Sequence, residues 1–167
     1  MDAIERAVLL REAAVFFCKA MATDSYASSA EAHPIPEMPG WKGYEYREGD
    51  FRLLDAYFVH PDTKKSVGFT KIWYKRVLIW WMSYGGYYVK EAIPCLKAAL
   101  LENYRNGIFN AGRARNGFRL GEYAYHIDTV GRSSFERFIA HEAIHPIKAV
   151  GFYPTEGGHD IWGMALI

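Results

Sequence analysis

From Trp41 onward the apolar residues of this chain recur with a period of two, interrupted by short clusters of turn-forming residues. That pattern marks half-buried strands joined by hairpins, and it rules out a mainly helical fold. Tyr44 and Tyr46 lead into Glu48-Gly49-Asp50, a tight turn in which Gly49 supplies a positive φ. Phe51 to Val59 returns, with Phe51, Leu53, Asp55, Tyr57 and Val59 on one face and Arg52, Leu54, Ala56, Phe58 and His60 on the other. Pro61-Asp62 turns the chain again, and Val67 to Tyr74 and Val77 to Tyr84 form a second hairpin across Lys75-Arg76. The strand VLIWWMSY is apolar on both faces, as a central strand or one beneath a helix would be, and Gly85-Gly86 ends it. Strands resume over Glu122 to Val130, Phe135 to Ile144, Ile147 to Tyr153 and Ile161 to Ile167.

Two helices precede these runs. Residues 3–21 contain no Gly or Pro, and Ile4, Val8, Val15 and Cys18 recur at near-helical intervals. Residues 90–106 place Ile93, Leu96, Leu100 and Tyr104 on one stripe, with Pro94 in the first turn and Asn106-Gly107 at the end. Between the first helix and the first strand, residues 22–40 hold three prolines and a run of small residues. They form a surface loop, a flap or a lid held by Tyr26. Order and spacing suggest a duplication. Each half, 41–88 and 121–167, has a Tyr-rich strand, a turn, more strands and a Gly-Gly pair after an aromatic. The expected fold is α+β, a single domain over 1–167. Its curved antiparallel sheet would come from two related β-meanders, each preceded by a helix.

Half of the 167 residues are hydrophobic, so one sizeable core can form and disorder is excluded. Twenty Lys and Arg against 19 Asp and Glu give a net charge of +1, which offers no global attraction to nucleic acid or anionic membrane. Cys18 and Cys95 do not make a disulfide scaffold, and the start MDAIERAVLLREAAVFF is not a secretory signal. The densest apolar run, Val77 to Met82, is far short of the ~20 residues of a membrane helix. A cytoplasmic location follows as the expectation.

The order KAMATDSYAS, YEYREGDFRLLDAYF, VGFTKIWYKRVLIWWMSYGG, LKAALLE, GEYAYHIDTVG and RFIAHEAI resembles an uncharacterised bacterial and archaeal domain-of-unknown-function family. Members of that family sometimes sit behind an Xre-type helix-turn-helix. The resemblance runs from about residue 12 to the C-terminus and is most specific at Tyr46 to Phe51 and Trp80 to Gly86. It implies a stand-alone version of a module that elsewhere sits beside a DNA reader, and it implies no reaction. Two departures stand out: Thr70 where the family shows a second Glu equivalent to Glu142, and Arg113-Ala114-Arg115 where it tends to Arg-Gly-Pro.

His141-Glu142-Ala143-Ile144-His145 has the HExxH spacing that binds zinc on a helix. Here Pro146 follows directly and the flanks read as strands, on which positions four apart are separated by roughly 13 Å. Asp55 and Glu142 are more informative. Each is in phase with apolar neighbours, and an acid on such a face must be paired, hydrogen-bonded or protonated. Arg47, Arg113 and Arg115 are available partners. The chain also carries 12 Tyr, 10 Phe and 5 Trp, with a belt at Trp73, Trp80, Trp81, Tyr84, Tyr87 and Tyr88. Such rings form core, line a pocket for a flat ligand, or stack bases beside a basic groove.

These observations favour a non-catalytic module that binds a small molecule or a protein partner in an aromatic-lined pocket. Its candidate ligand-binding residues are Tyr46, Asp55, Tyr57, Trp73, Trp81, Tyr84, Arg113, Tyr125 and Glu142. No cofactor, metal or catalytic residue is assigned, and nucleic acid and membrane are disfavoured as partners. The alternatives are a metal-dependent hydrolase using residues 141–145, and a dimerisation or nucleic-acid-associated module, including a homodimer.

Overall fold

A computed structural model describes residues 1–148 and 156–167. Helix α1 spans Ala3–Thr23 and begins in a capping box, in which Asp2 accepts from the backbone of Ile4 and Glu5 while the Glu5 carboxylate accepts from Asp2 N. Strands follow at His33–Pro34 (β1), Lys42–Glu48 (β2), Phe51–Val59 (β3), Ser66–Tyr74 (β4) and Val77–Tyr88 (β5). After a 3₁₀ turn at Lys90–Ala92 come α2 (Ile93–Arg105) and strands Phe118–Leu120 (β6), Tyr123–Thr129 (β7), Arg137–Pro146 (β8) and Gly157–Ala165 (β9). The strands form one open, curved antiparallel sheet in the order β1-β2-β3-β4-β5-β9-β8-β7-β6. The expected α+β class is therefore observed.

The first half is a helix followed by five strands and the second a helix followed by four, and the last strand of each half meets the other at the centre of the sheet. Tyr84 faces Ile161 there. On either side of that pair, Met82 faces Gly163 and Gly86 faces His159. The pattern is symmetric about the pair, so Met82 and His159 are equivalent, as are Gly86 and Gly163. Carried outward, Thr70 corresponds to Glu142 and Asp55 to Ile127. The ladders thus match β3 with β7 and β5 with β9. The sequence had paired the β2 segment with the β7 segment and one Gly-Gly with the other, because tyrosines and glycines recur in both.

Both helices pack on one face of the sheet and against each other. The core between them holds Phe17, Leu53, Ile72, Trp80, Met82, Leu96 and Ile144. Helix α1 does not bury the residues its spacing suggested. Ile4 and Val15 are 77% and 70% exposed, and Leu10, Ala13, Phe16, Phe17, Ala20 and Met21 join Cys18 inside. Apolar residues surround this helix, and its bulkiest side chains, Phe16 and Phe17, take the core side.

Some boundaries also shift. Residues 22–40 include β1, an edge strand where Pro34 costs no interior hydrogen bond. A short strand, β6, precedes the expected restart at Glu122. Ile147 and Lys148 form a turn, and the remainder of the expected strand, 149–153, lies outside the described residues. No helix among the described residues is long and apolar enough to cross a membrane.

Candidate functional site

Under the helices, one end of the sheet's inner face opens into a cavity of about 330 Å³. That lies at the small end of the range typical of ligand pockets. Met21 and Ala27 with Ile93, Leu96 and Leu100 make its apolar wall. Five tyrosines surround the space: Tyr26, Tyr57, Tyr84, Tyr88 and Tyr104. The sheet contributes Asp55, Ser66 and His159, the loop after α2 contributes Arg113, and exposed Lys64 and Lys90 lie at the mouth. Tyr26 and Ala27 show that the start of the 22–40 loop is a wall of the site. Ser25 Oγ ties it down by donating to Met21 O at 2.6 Å, and Lys97 lies 4.4 Å over the Tyr26 ring.

Strand alternation delivers both acids to this face. Asp55 follows the buried Leu53 two residues on, and its Oδ1 accepts from Thr70 Oγ1 at 2.8 Å and from Tyr84 Oη at 3.2 Å. Burial pushes its carboxyl up, opposed by those two hydrogen bonds and by the charge of Arg113. Both bonds fall on the same oxygen, so Oδ2 is not needed to hold the residue in place. Glu142 is fully buried on β8. Its Oε2 accepts from Arg113 Nε at 2.8 Å and from Tyr125 Oη at 2.7 Å, while Arg113 Nη2 donates to Oε1. Burial acts to raise this carboxyl too, but the charge and hydrogen bonds of the Arg113 guanidinium, with the nearby His159 imidazole, outweigh it and hold the group well below the usual carboxylate range. Asn103 fixes the loop that carries Arg113, donating from Nδ2 to Arg113 O at 2.8 Å and to Ile108 O at 2.7 Å.

His159 completes the polar floor. Its Nε2 is 2.9 Å from Ser66 Oγ, and its Nδ1 is 3.5 Å from Glu142 Oε1. Tyr84 stacks on the imidazole at 5.6 Å and Tyr88 meets it edge-on at 4.8 Å. Tyr88 Oη is buried beside Arg113 and Glu142, which act on its ionisation, yet among the described residues it makes no hydrogen bond of regular geometry.

Asp55, Tyr57, Tyr84 and Arg113 line the cavity, and Tyr125 and Glu142 stand directly behind it. Three sequence candidates lie elsewhere. Tyr46 packs on Phe16 near the sheet edge and donates to Glu48 at 2.9 Å. Trp73 is on the opposite face with Arg52 4.8 Å above its ring. Trp81 is on that face as well, stacked on Phe69 at 5.4 Å with Lys71 4.5 Å away. These two belong to strands apolar on both sides, where composition carries no information about facing. Conversely, His159, Ser66, Tyr88 and Tyr104 were not singled out for the site. His159 follows two glycines and reads as part of a turn, whereas β9 begins at Gly157.

The HExxH segment is extended, as its proline and flanks predicted. Alternation sends His141 and His145 to the face opposite Glu142. His141 Nδ1 is 2.8 Å from Asp160 Oδ1, and the His145 ring lies 5.3 Å from that of His126. Among the described residues no three His, Cys, Asp or Glu side chains are grouped to hold a metal ion. Neither a protein-family model, nor a curated protein, nor a solved structure matches this chain.

Proposed function

We propose that the chain is a small-molecule-binding module whose ligand occupies the cavity between the helices and the inner face of the sheet. The observation that carries this reading is Asp55, a buried acid in an apolar chamber, held by one oxygen and without an ion-pair partner of its own among the described residues. Arg113 is the nearest cation by effect, and it is engaged on both oxygens of Glu142. A ligand with an apolar body and a hydrogen-bond-donating head matches this arrangement. A protonated amine matches it best, because it answers the carboxylate and the tyrosine faces favour a cation. The resemblance to a family found behind helix-turn-helix readers supports a regulatory use for such binding.

A thermal-shift panel of small aromatic amines, with matched alcohols and carboxylic acids, tests the reading. Saturation to a hundred times Kd stabilises a folded protein by about 2.7 kcal/mol, which is several degrees in Tm for a chain of this size. The amines are expected to give the largest shifts, and Asp55→Asn to erase their advantage over the alcohols. A flat response across the panel would remove the ligand-binding reading.

A further inference from the structure

One rung of the sheet runs from Ser66 on β4 through Gly86 on β5 and His159 on β9 to Glu142 on β8. Gly86 lacks the side chain that would block the way. A Cβ there would lie 2.8 Å from His159 Cδ2 and 1.9 Å from Gly158 O. The imidazole therefore leans across Gly86 to the strand beyond, where Nε2 comes to 2.9 Å from Ser66 Oγ. Behind it, Nδ1 faces Glu142 Oε1 at 3.5 Å, an ion-pair distance without hydrogen-bond geometry. A carboxylate on the Nδ1 side favours the tautomer with its proton on Nδ1, leaving Nε2 to accept from the serine. Hydroxyl, imidazole and buried carboxylate in that order are the parts of an activated serine nucleophile. Ser66 and His159 both line the cavity, so a bound molecule can meet the hydroxyl.

The internal symmetry supplies a comparison within the same molecule. The equivalent rung reads Phe138, Gly163, Met82 and Thr70. There the space over glycine is filled by the Phe138 ring, whose Cζ lies 2.3 Å from where a Gly163 Cβ would be. Packing alone is satisfied by that apolar solution. The other copy of the rung, beside the cavity, carries three groups able to move a proton instead.

We infer that Ser66 is a nucleophile, with His159 as its general base and Glu142 as the residue that positions His159, acting on a small apolar ester held in the cavity. This rests on the cavity admitting a ligand. Ser66 Oγ bonds to the ester carbonyl carbon as its proton passes to His159 Nε2. The tetrahedral adduct then expels the alcohol, which takes that proton as its C–O bond breaks. Water, deprotonated by His159, adds to the acyl carbon and releases the acid as the bond to Oγ breaks and the proton returns to Ser66. One donor at the cavity suits the oxyanion: Arg113 Nη1, which is not used on Glu142.

The test treats the full-length protein with an alkyl fluorophosphonate and maps the adduct by mass spectrometry. One adduct, on Ser66, is expected. Ser66→Ala should abolish it, and His159→Gln should slow it by about a hundredfold or more with Tm little changed. Glu142→Gln, where it folds, should slow labelling as His159→Gln does, and Glu142→Asp should restore part of the rate, a rescue that loss of packing would not give. Absence of an adduct, an adduct on another residue, or a wild-type rate in His159→Gln would each overturn the assignment. A protein that responds to the amine panel yet takes no label loses the nucleophile and keeps the binding role; one that does neither loses both.

Discussion

At the scale of single residues, the pairing of Arg113 with Glu142 decides the electrostatics of the interior. Both side chains are buried, so neither charge has water to fall back on. Removing one partner leaves the other stranded, and the expected cost of Glu142→Gln is about 3–5 kcal/mol by chemical denaturation. Replacing both with apolar residues of similar size is expected to cost much less, since the burial penalty leaves with the charges. Asp55 works in the opposite direction. Its carboxyl is raised by burial, so the folded state binds its proton more tightly than the unfolded chain does. The stability tied to that proton is present at low pH and is lost as pH rises through the folded value. Asparagine keeps an oxygen for Thr70 and Tyr84 and carries no charge. Melting temperatures of Asp55→Asn and wild type should therefore nearly coincide near about pH 4, and the variant should gain on wild type toward about pH 8.

Among the strands, glycines decide which elements can touch. Gly49 sits in the β2–β3 turn at φ +57° with nothing within 4 Å of a built Cβ. Alanine there is expected to cost about 1–2 kcal/mol, from backbone strain alone. Gly86 differs, because an added methyl runs into the Gly158 carbonyl of the neighbouring strand. Gly86→Ala should pry β5 from β9, and its loss of stability, compared by urea denaturation, should clearly exceed that of Gly49→Ala. The strand pattern itself was legible from alternation: β2 to β5 and β7 to β9 all begin or end near a turn signal in the sequence. The inward phase of Asp55 and Glu142 was legible for the same reason. Facing on β5 was not, because Trp80 and Trp81 are adjacent and both apolar, so Trp81 was assigned to the site that Trp80's side of the strand supports. The strand's extension through Gly85-Gly86 to Tyr88 was equally hidden, since paired glycines ordinarily end a strand and here make room for a neighbour.

At the scale of the whole molecule, acid stability follows from the core ion pair. The Glu142 carboxyl is lower in the folded chain than in the unfolded one. It therefore contributes stability above the ordinary glutamate range, and that contribution is lost as pH falls toward the folded value. Unfolding free energy should drop steeply below about pH 4, and the drop should be much shallower in the variant with Arg113 and Glu142 both replaced by apolar residues. The two-fold arrangement of the ladders was only half readable. Similar order in the two halves could be seen, but which strand answers which depends on partners far apart in the chain, such as Met82 with Gly163. The cavity was not readable at all, because it is assembled from α1, the loop after it, α2, the Arg113 loop and both central strands. Two separate identical chains meeting along such a seam would have to carry every substitution twice, so neither could gain an imidazole at one position without its mate gaining the same. Joining both copies in one polypeptide lifts that constraint: each may change alone, and one half can keep the scaffold while the other acquires chemistry.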